Sequence, residues 1–377
     1  MRLRSLASVF ATSCLLAAAV LRCSIPPAPP PSSAIPTRIG RARGAFLSLP
    51  EGTVDRAALV ASLKEMKFTT IILETTANED GEFAADGVAL AVELQRELEA
   101  DVFVGTYQAR AHKLNGKPME ALLQKDATFD RCYAPNGPLL GAELALVDKV
   151  RICSQDVAQK VADELTRLSA SPRIGCYVAQ QPELVDMLTD DGRTKLHELL
   201  RDAAGPCAKS KRDVLLSPRL SNRATDPARA GVLLRDALKD TGITQVVLQD
   251  GVGAFDPQKP HRAAPYYDAL RVSLDDRPDN PVQVWANIEA FDCEGPACDR
   301  THPTTTARFT EQLCGARTRV EGIVTYEYLH HLAGQPLVTG DLDASTDLQA
   351  IANDVDAAAQ LRRGYLDWFE AGAPCAK

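Results

Sequence analysis

Glycine-rich phosphate loops are missing from this 377-residue chain, and aromatic residues are scarce at 5%. No GxGxxG follows the first predicted strand, which removes nicotinamide- and nucleotide-binding readings. No long basic run occurs and the net charge is −8, so the composition gives no support for nucleic-acid binding. No CxxC pair occurs among ten scattered cysteines, which argues against a zinc site, and neither a metal nor an organic cofactor is expected. The scarcity of aromatics leaves few rings for stacking on a ligand. What is present suits a sizeable globular core, with 45% of residues hydrophobic and 24% charged.

The N-terminus reads as a targeting segment. Arg2 and Arg4 precede an apolar stretch, Leu6 to Leu21, that ends in small residues, as in a bacterial export signal. A single uncleaved anchor is the alternative, because the run is close to spanning length. Residues 1–23 are therefore assigned to the signal, 24–40 to an extended Pro-rich tether, and 41–377 to the folded domain. Cys23 heads the tether and is a candidate for lipidation, although Arg22 before it departs from a normal lipoprotein cleavage site. The expected location is outside the cytoplasm: periplasmic, envelope-anchored through the N-terminus, or secreted. Eight cysteines remain beyond the signal, and in an oxidising compartment they imply several disulfides. The pairs expected are Cys132 with Cys153, Cys293 with Cys298, and Cys314 with Cys375.

Past the tether the chain repeats strand, loop, helix, loop. Predicted strands cover Gly44 to Leu49, Thr69 to Glu74, Asp101 to Tyr107, Arg173 to Val178, Asp213 to Pro218, the ITQVVLQDGVG stretch from Ile243 to Gly253, Val282 to Glu289, and Val320 to Tyr328. Predicted helices run from about Val54 to Lys67, Gly87 to Ala100, Gln155 to Leu168, Leu184 to Ala204, Pro227 to Asp240, Ala264 to Leu274, Thr304 to Cys314, and Leu348 to Phe369. Eight such units in this length argue for a (β/α)₈ TIM barrel, a single α/β domain with loop excursions. The alternative, an open doubly wound sheet, lacks its phosphate-binding glycine motif.

In such a barrel the chemistry sits at the C-terminal ends of the strands, here Ser48, Glu74, Tyr107, Tyr177, Ser217, Asp250, Glu289 and Tyr326. The seventh strand is the most informative. Alternation puts Gln283, Trp285, Asn287 and Glu289 on one side and the aliphatic Val282, Val284, Ala286 and Ile288 on the other. The aliphatic side must face the helices, so Glu289 emerges at the mouth. The bland alternative pairs Glu289 with an arginine such as Arg219 or Arg308. Two carboxyl groups flanking a sugar are what glycoside hydrolysis needs, and Glu289 is assigned as nucleophile or base. After Tyr177 the chain reads VAQQPE, so Gln181 stands where an acid is wanted and Glu183 is the nearest carboxylate. Asp250, Glu74 and Glu327 are further carboxylates near the rim. Trp285, Tyr107, Tyr177, Tyr326 and Tyr328 gather rings at one end, and Tyr266 and Tyr267 extend that rim. His330 and His331 follow the eighth strand, where an extended loop would point them apart and disfavour a metal site.

IGCYV, LLSPRL, ITQVVLQDGVG and VWANIEAFD, in this order and spacing, resemble the domain-of-unknown-function 4434 family, over about Gly44 to Phe369. QDGVG and the W-x-x-x-E of the seventh strand are its most specific motifs. The resemblance implies a barrel fold and a carbohydrate-active role, with Asp250 and Glu289 on motif positions. It also implies a carboxylate near Gln181, a point where this sequence departs from the pattern, either by moving the acid to Glu183 or by losing it. The resulting expectation is a monomeric, exported, glycoside-hydrolase-like barrel. Glu289, Glu183 and Asp250 form its catalytic set, with Asp250 as a positioning group. Glu74, Tyr107, Tyr177, Gln181, Gln249, Trp285, Asn287, Tyr326 and Glu327 contact an oligo- or polysaccharide. The alternative is a non-catalytic carbohydrate-binding barrel of the envelope, and a third reading is a disulfide-braced scaffold without a ligand.

Overall fold

Eight short runs, each with one face of Val, Ile, Leu or Ala, form eight parallel strands that close on themselves. The computed structural model describes residues 43–49, 53–76, 85–107, 113–114, 117–118, 142–178, 183–184, 190–220, 224–275, 281–294, 300–335, 337–339, 350–351 and 354–375. The strands are β1 (Arg43–Leu49), β2 (Thr70–Thr76), β3 (Asp101–Tyr107), β4 (Ile174–Val178), β5 (Val214–Leu216), β6 (Gln245–Gln249), β7 (Gln283–Glu289) and β8 (Gly322–Tyr326). Each pairs in parallel with the next, and β8 pairs back onto β1, which closes the barrel. Closure leaves no free edge among these strands, and consecutive parallel strands require the intervening helices.

Those helices are α1 (Arg56–Glu65), α2 (Ala85–Leu98), α3 (Ala142–Arg167), α4 (Asp190–Lys209), α5 (Pro227–Ala237), the short α6 (Val252–Phe255), α7 (Ala264–Asp275), α8 (Thr306–Arg317), the short α9 (Tyr328–His331) and α10 (Val355–Glu370). Their starts follow from local chemistry. Asp55, Asp226, Thr305 and Asp354 each cap a helix by accepting a hydrogen bond from a backbone N–H in its first turn. Among the described residues no helix is long and apolar enough to cross a membrane.

Two apolar cores follow from the strand alternation. Inside the barrel every strand contributes to a second apolar cluster, through Phe46, Ile72, Phe103, Tyr177, Leu215, Val247, Trp285, and both Val324 and Tyr326 of β8. The opposite faces, among them Leu47, Leu73, Val104, Val246, Val284 and Ile288, pack with Leu59, Leu63, Leu94, Leu234, Leu270 and Leu313 of the helices. Each fully buried aliphatic side chain contributes about 1.5–3 kcal/mol.

Several sequence expectations need correction. The helix expected from Gln155 already runs from Ala142. The helix expected near Leu184 begins at Asp190, where Asp190 and Asp191 favour the positive end of the helix dipole. Glu183–Leu184 is instead a short strand beside Arg219–Leu220. The closing helix starts at Val355, after the Asp354 cap, and Ala350–Ile351 pairs with the hairpin formed by Phe291–Glu294 and Arg300–Pro303. His330 and His331 share one helical turn, α9, rather than an extended loop. Cys314 bonds to Cys375 as expected, whereas Cys176 of β4 bonds to Cys207 of α4, a pair the sequence reading did not name. Cys293 is disulfide-bonded too. Cys132, Cys298 and the Cys153 side chain lie outside what the structure describes.

Candidate active site

Strand β7 delivers its side chains as its alternation requires. Val284, Ala286 and Ile288 enter the core between barrel and helices, so Trp285, Asn287 and Glu289 occupy the interior, with Glu289 at the C-terminal end of the strand. Glu289 is 2% exposed, and its Oε2 accepts a hydrogen bond from the Ala254 N–H at 2.9 Å. Burial, and then the charge of Asp250, push its carboxyl up to about 7, against the opposing pull of the Ala254 N–H, Arg308 and Arg219. A carboxyl that holds its proton near neutral pH is suited to general acid and base work. Asn287, one pleat deeper, is fully buried, and neither its Nδ2 nor its Oδ1 has a hydrogen-bond partner. Leaving a buried amide unpaired costs about 1–3 kcal/mol, so a bound group supplying one donor and one acceptor would offset that cost.

The QDGVG segment positions the residue that follows it, Ala254, as the donor to Glu289. Gly251 takes φ +62, a left-handed conformation, and starts α6 beside β7. Gly253 allows the close approach that follows, because a Cβ there would stand 2.0 Å from the Phe291 carbonyl oxygen and 3.2 Å from Glu289 Oε2. Ala254 is then placed to donate its N–H to the carboxyl.

Asp250 lies on the other side of the wall from the mouth. Gln249 faces inward, where its Nε2 donates to the Ser217 carbonyl and hydroxyl oxygens, each at 3.2 Å, so the next residue turns outward. Asp250 is 1% exposed, its Oδ1 accepts from the Val252 N–H at 3.2 Å, and its Oδ2 accepts from Gln312 Nε2 of α8 at 2.5 Å. Burial raises its carboxyl to about 6 despite those bonds and the Arg308 charge. Arg308 donates to the Glu289 and Phe291 carbonyl oxygens at 3.2 and 2.6 Å, pairs with Asp292 at 2.9 Å, and also donates to Gln312 Oε1 and Thr304 Oγ1. Tyr267 of α7 is buried beside them with its hydroxyl unpartnered; burial, then the Asp250 and Glu289 charges, carry it well above the ordinary tyrosine value. The sequence names Arg308 as a possible partner of Glu289, and the guanidinium does bond that residue's carbonyl oxygen; the contacts of Gln312 and Tyr267 leave no local signal, because their partners lie tens of residues away. The i, i+4 spacing of Arg308 and Gln312 on one helix face was the available hint.

The remaining expected site residues divide. Glu74 is buried at the mouth and accepts from Ser48 Oγ at 2.7 Å across the β1/β2 register. Tyr177 and Tyr326 do come together, each packed edge-to-face on Phe46 at ring centroid distances of 5.6 and 4.9 Å, as an aromatic layer in the barrel interior. Trp285 is not a rim residue, since its indole N–H donates to Gln283 at the N-terminal end of β7 and its ring fills the space beside Gly322. Glu327, preceded by a cis peptide, caps α9, accepting from the Leu329 and His330 N–H groups and bonding His330 Nδ1 at 2.5 Å. Its oxygens are thereby occupied. Burial raises its carboxyl, but the His330 charge and hydrogen bond outweigh that and leave it lowered. His331 meets Thr301 Oγ1 at 3.1 Å and packs on Phe291. Tyr328 bonds Ser62 of α1, and Tyr266 packs in the outer core, so neither is a rim aromatic. The Glu183 backbone lies in one row with Arg219, Gln249 and Asn287 across neighbouring strands. Its side chain, that of Tyr107 and the whole of Gln181 lie outside the described residues. Phe255, at the end of α6 and partly exposed, was also missed; the Arg219 and Arg262 guanidinium groups lie 5.4 and 5.9 Å from its ring centroid. Among the described residues no group of three or more His, Cys, Asp or Glu side chains could hold a metal ion.

The chain resembles solved barrels at low identity. One is the exo-beta-1,4-mannosidase Op5Man5 from Opitutaceae bacterium strain TAV5, at 12% identity and a TM-score of 0.47, covering 88% of this chain and 59% of that one. The chain thus spans less than two thirds of the mannosidase. A GH5_18 protein from Streptomyces cattleya in complex with Manb1-4GlcNAc matches at 13% identity and a TM-score of 0.48, covering 87% and 81% of the two chains. D-psicose 3-epimerase from Clostridium cellulolyticum H10 matches at 12% identity and a TM-score of 0.43, covering 89% and 100%. Likenesses of this strength carry no conclusion about chemistry. A comparison with curated proteins finds no match. The family model described as Domain of unknown function (DUF4434) matches residues 144–338, more than half of the chain, a span holding QDGVG, Glu289, Arg308 and Gln312. The chain belongs to the DUF4434 family.

Proposed function

We propose that this barrel is a glycoside-hydrolase-like enzyme that binds a saccharide at its C-terminal mouth and uses Glu289 to transfer a proton. The observation that carries the reading is Glu289 itself: a buried carboxyl at the end of β7, kept protonated toward neutral pH, with the unpaired Asn287 amide beneath it. A protonated carboxyl is what a leaving glycosidic oxygen requires, so general acid becomes the preferred role over nucleophile. Asn287, whose Nδ2 donates and whose Oδ1 accepts, is assigned to neighbouring hydroxyls of the sugar ring, and Tyr177 and Tyr326 to the floor beneath it. Glu183 is the proposed second carboxylate, because its backbone shares the row with Arg219, Gln249 and Asn287. Asp250 is assigned to positioning. The disulfides Cys176–Cys207 and Cys314–Cys375 support an exported, oxidising location.

A second reading, a carbohydrate-binding barrel without hydrolysis, is favoured by one feature. The carboxyls of Glu74, Asp250 and Glu327 are each already hydrogen-bonded within the protein, which leaves Glu289 without a ready partner among them. Purified protein assayed for reducing-end release on a panel of oligosaccharides, with calorimetry on the same panel, separates these readings. Release by the wild type but not by Glu289→Gln supports the enzyme. Binding without release supports the second reading, and neither binding nor release refutes both.

A further inference from the structure

The turn that carries the Ala254 N–H is held from behind the barrel wall, by groups that do not line the mouth. Asp250 Oδ1 accepts from the Val252 N–H at 3.2 Å, which fixes the start of α6, and Gln312 Nε2 holds Oδ2 at 2.5 Å. Gln312 is itself held by Arg308, whose guanidinium also bonds the carbonyl oxygens of Glu289 and Phe291. Helix α8 therefore grips both the end of β7 and the turn that donates to Glu289 Oε2. Gly253 leaves no slack between them, with a Cβ position only 2.0 Å from the Phe291 carbonyl.

We propose that Asp250 and Gln312 are positioning residues for Glu289, acting through the α6 turn and through charge, without meeting the ligand. This rests on the reading of Glu289 as the proton-transferring group, but its test does not require turnover.

The charged groups facing the pair set the sign of the effect. Arg308 is a buried cation, and Asp292 pairs with its Nε at 2.9 Å. Asp250 and Glu289 are left to share what remains of that field, with Arg219 also acting on Glu289 and the Tyr267 hydroxyl lying near both. An anionic Asp250 disfavours an anionic Glu289, so neutralising Asp250 must make Glu289 more acidic. Asp250→Asn and Gln312→Leu both leave an Oδ1 acceptor at position 250 for the Val252 N–H, so the turn and its Ala254 donor stay in place, and removing the Gln312 hydrogen bond, which destabilises the Asp250 anion, shifts Glu289 in the same direction.

The test is a carbon-13 NMR titration of the folded protein with side-chain-labelled glutamate, the Glu289 signal being assigned by its loss in Glu289→Gln. We expect the Glu289 midpoint to fall by at least one pH unit, a tenfold change in acidity, in both Asp250→Asn and Gln312→Leu. An unchanged midpoint in both folded variants overturns the proposal. A shift in Asp250→Asn alone overturns the part given to Gln312. Should Asp250→Asn fail to fold, Gln312→Leu decides by itself. Because the readout is a titration, it stands or fails independently of the saccharide panel.

Discussion

Replacing Glu289 by glutamine should make the protein more stable above neutral pH than it is in its native form, relative to the same comparison in acid. The folded carboxyl is raised from 4.5 to about 7. Below the lower value both the folded and the unfolded chain hold the proton. Between the two values the unfolded chain has released it while the folded one retains it. A raised carboxyl therefore contributes stability that is fully present below the unfolded value and lost as pH rises through the folded one. The shift of about 2.5 units, at about 1.4 kcal/mol per unit, corresponds to about 3 kcal/mol. Glutamine keeps the acceptor for the Ala254 N–H and does not titrate. The assay is urea unfolding followed by the fluorescence of Trp285 and Trp368, for both proteins, at unit steps from pH 4 to 8. His331, which burial lowers to about 3, and Glu327 titrate in both proteins and cancel in the difference. The stability of the wild type relative to the variant should fall by about 3 kcal/mol across that range, mostly between pH 4.5 and 7. Curves that stay parallel would refute the burial argument for Glu289.

Asn287→Leu removes a buried amide that has no partner, so it should stabilise the ligand-free protein by about 1–3 kcal/mol in urea unfolding while weakening saccharide binding in calorimetry. Gly253→Ala places a methyl against the Phe291 carbonyl and should cost about 1–3 kcal/mol, together with a displaced Ala254 amide resonance in the NMR spectrum. Replacing both cysteines of either Cys176–Cys207 or Cys314–Cys375 by serine should cost about 4 kcal/mol, given sequence separations of 31 and 61, with unfolding under non-reducing conditions as the measurement.

Much of the architecture could be read from alternation, because a parallel barrel strand has one face for the interior and one for the helices. Strand β7 is the clearest case: its aliphatic side named the outer face, and Glu289 followed as an inward residue at the strand end. The same parity, applied one strand earlier, would have turned Asp250 away from the mouth, since Val247 and Gln249 already face inward. Asp250 therefore packs behind the wall and not at the rim where the sequence analysis expects it. Trp285 lies away from the rim for a different reason, its position along the strand, two residues in from the N-terminal end. The contacts of Arg308 and Gln312 depend on how α8 docks, which no local pattern encodes; Gln312 lies 62 residues from the carboxyl it holds. Glu327 and His330 carry a cap spacing that sequence alone could have supplied, with a carboxylate three residues before the histidine it bonds. The Cys176–Cys207 pair joins β4 to α4, the helix that follows it, a geometry that the cysteine count leaves undetermined.

The role of Glu289 at a saccharide-binding mouth is tested most directly by a crystal structure of Glu289→Gln soaked with the oligosaccharide that binds best in the panel. The prediction is a sugar ring at the C-terminal end of β7, with hydroxyls within about 3 Å of both the Asn287 amide and the residue 289 side chain. A sugar bound elsewhere on the barrel, or no sugar bound while Asn287 is satisfied by ordered water, would contradict it.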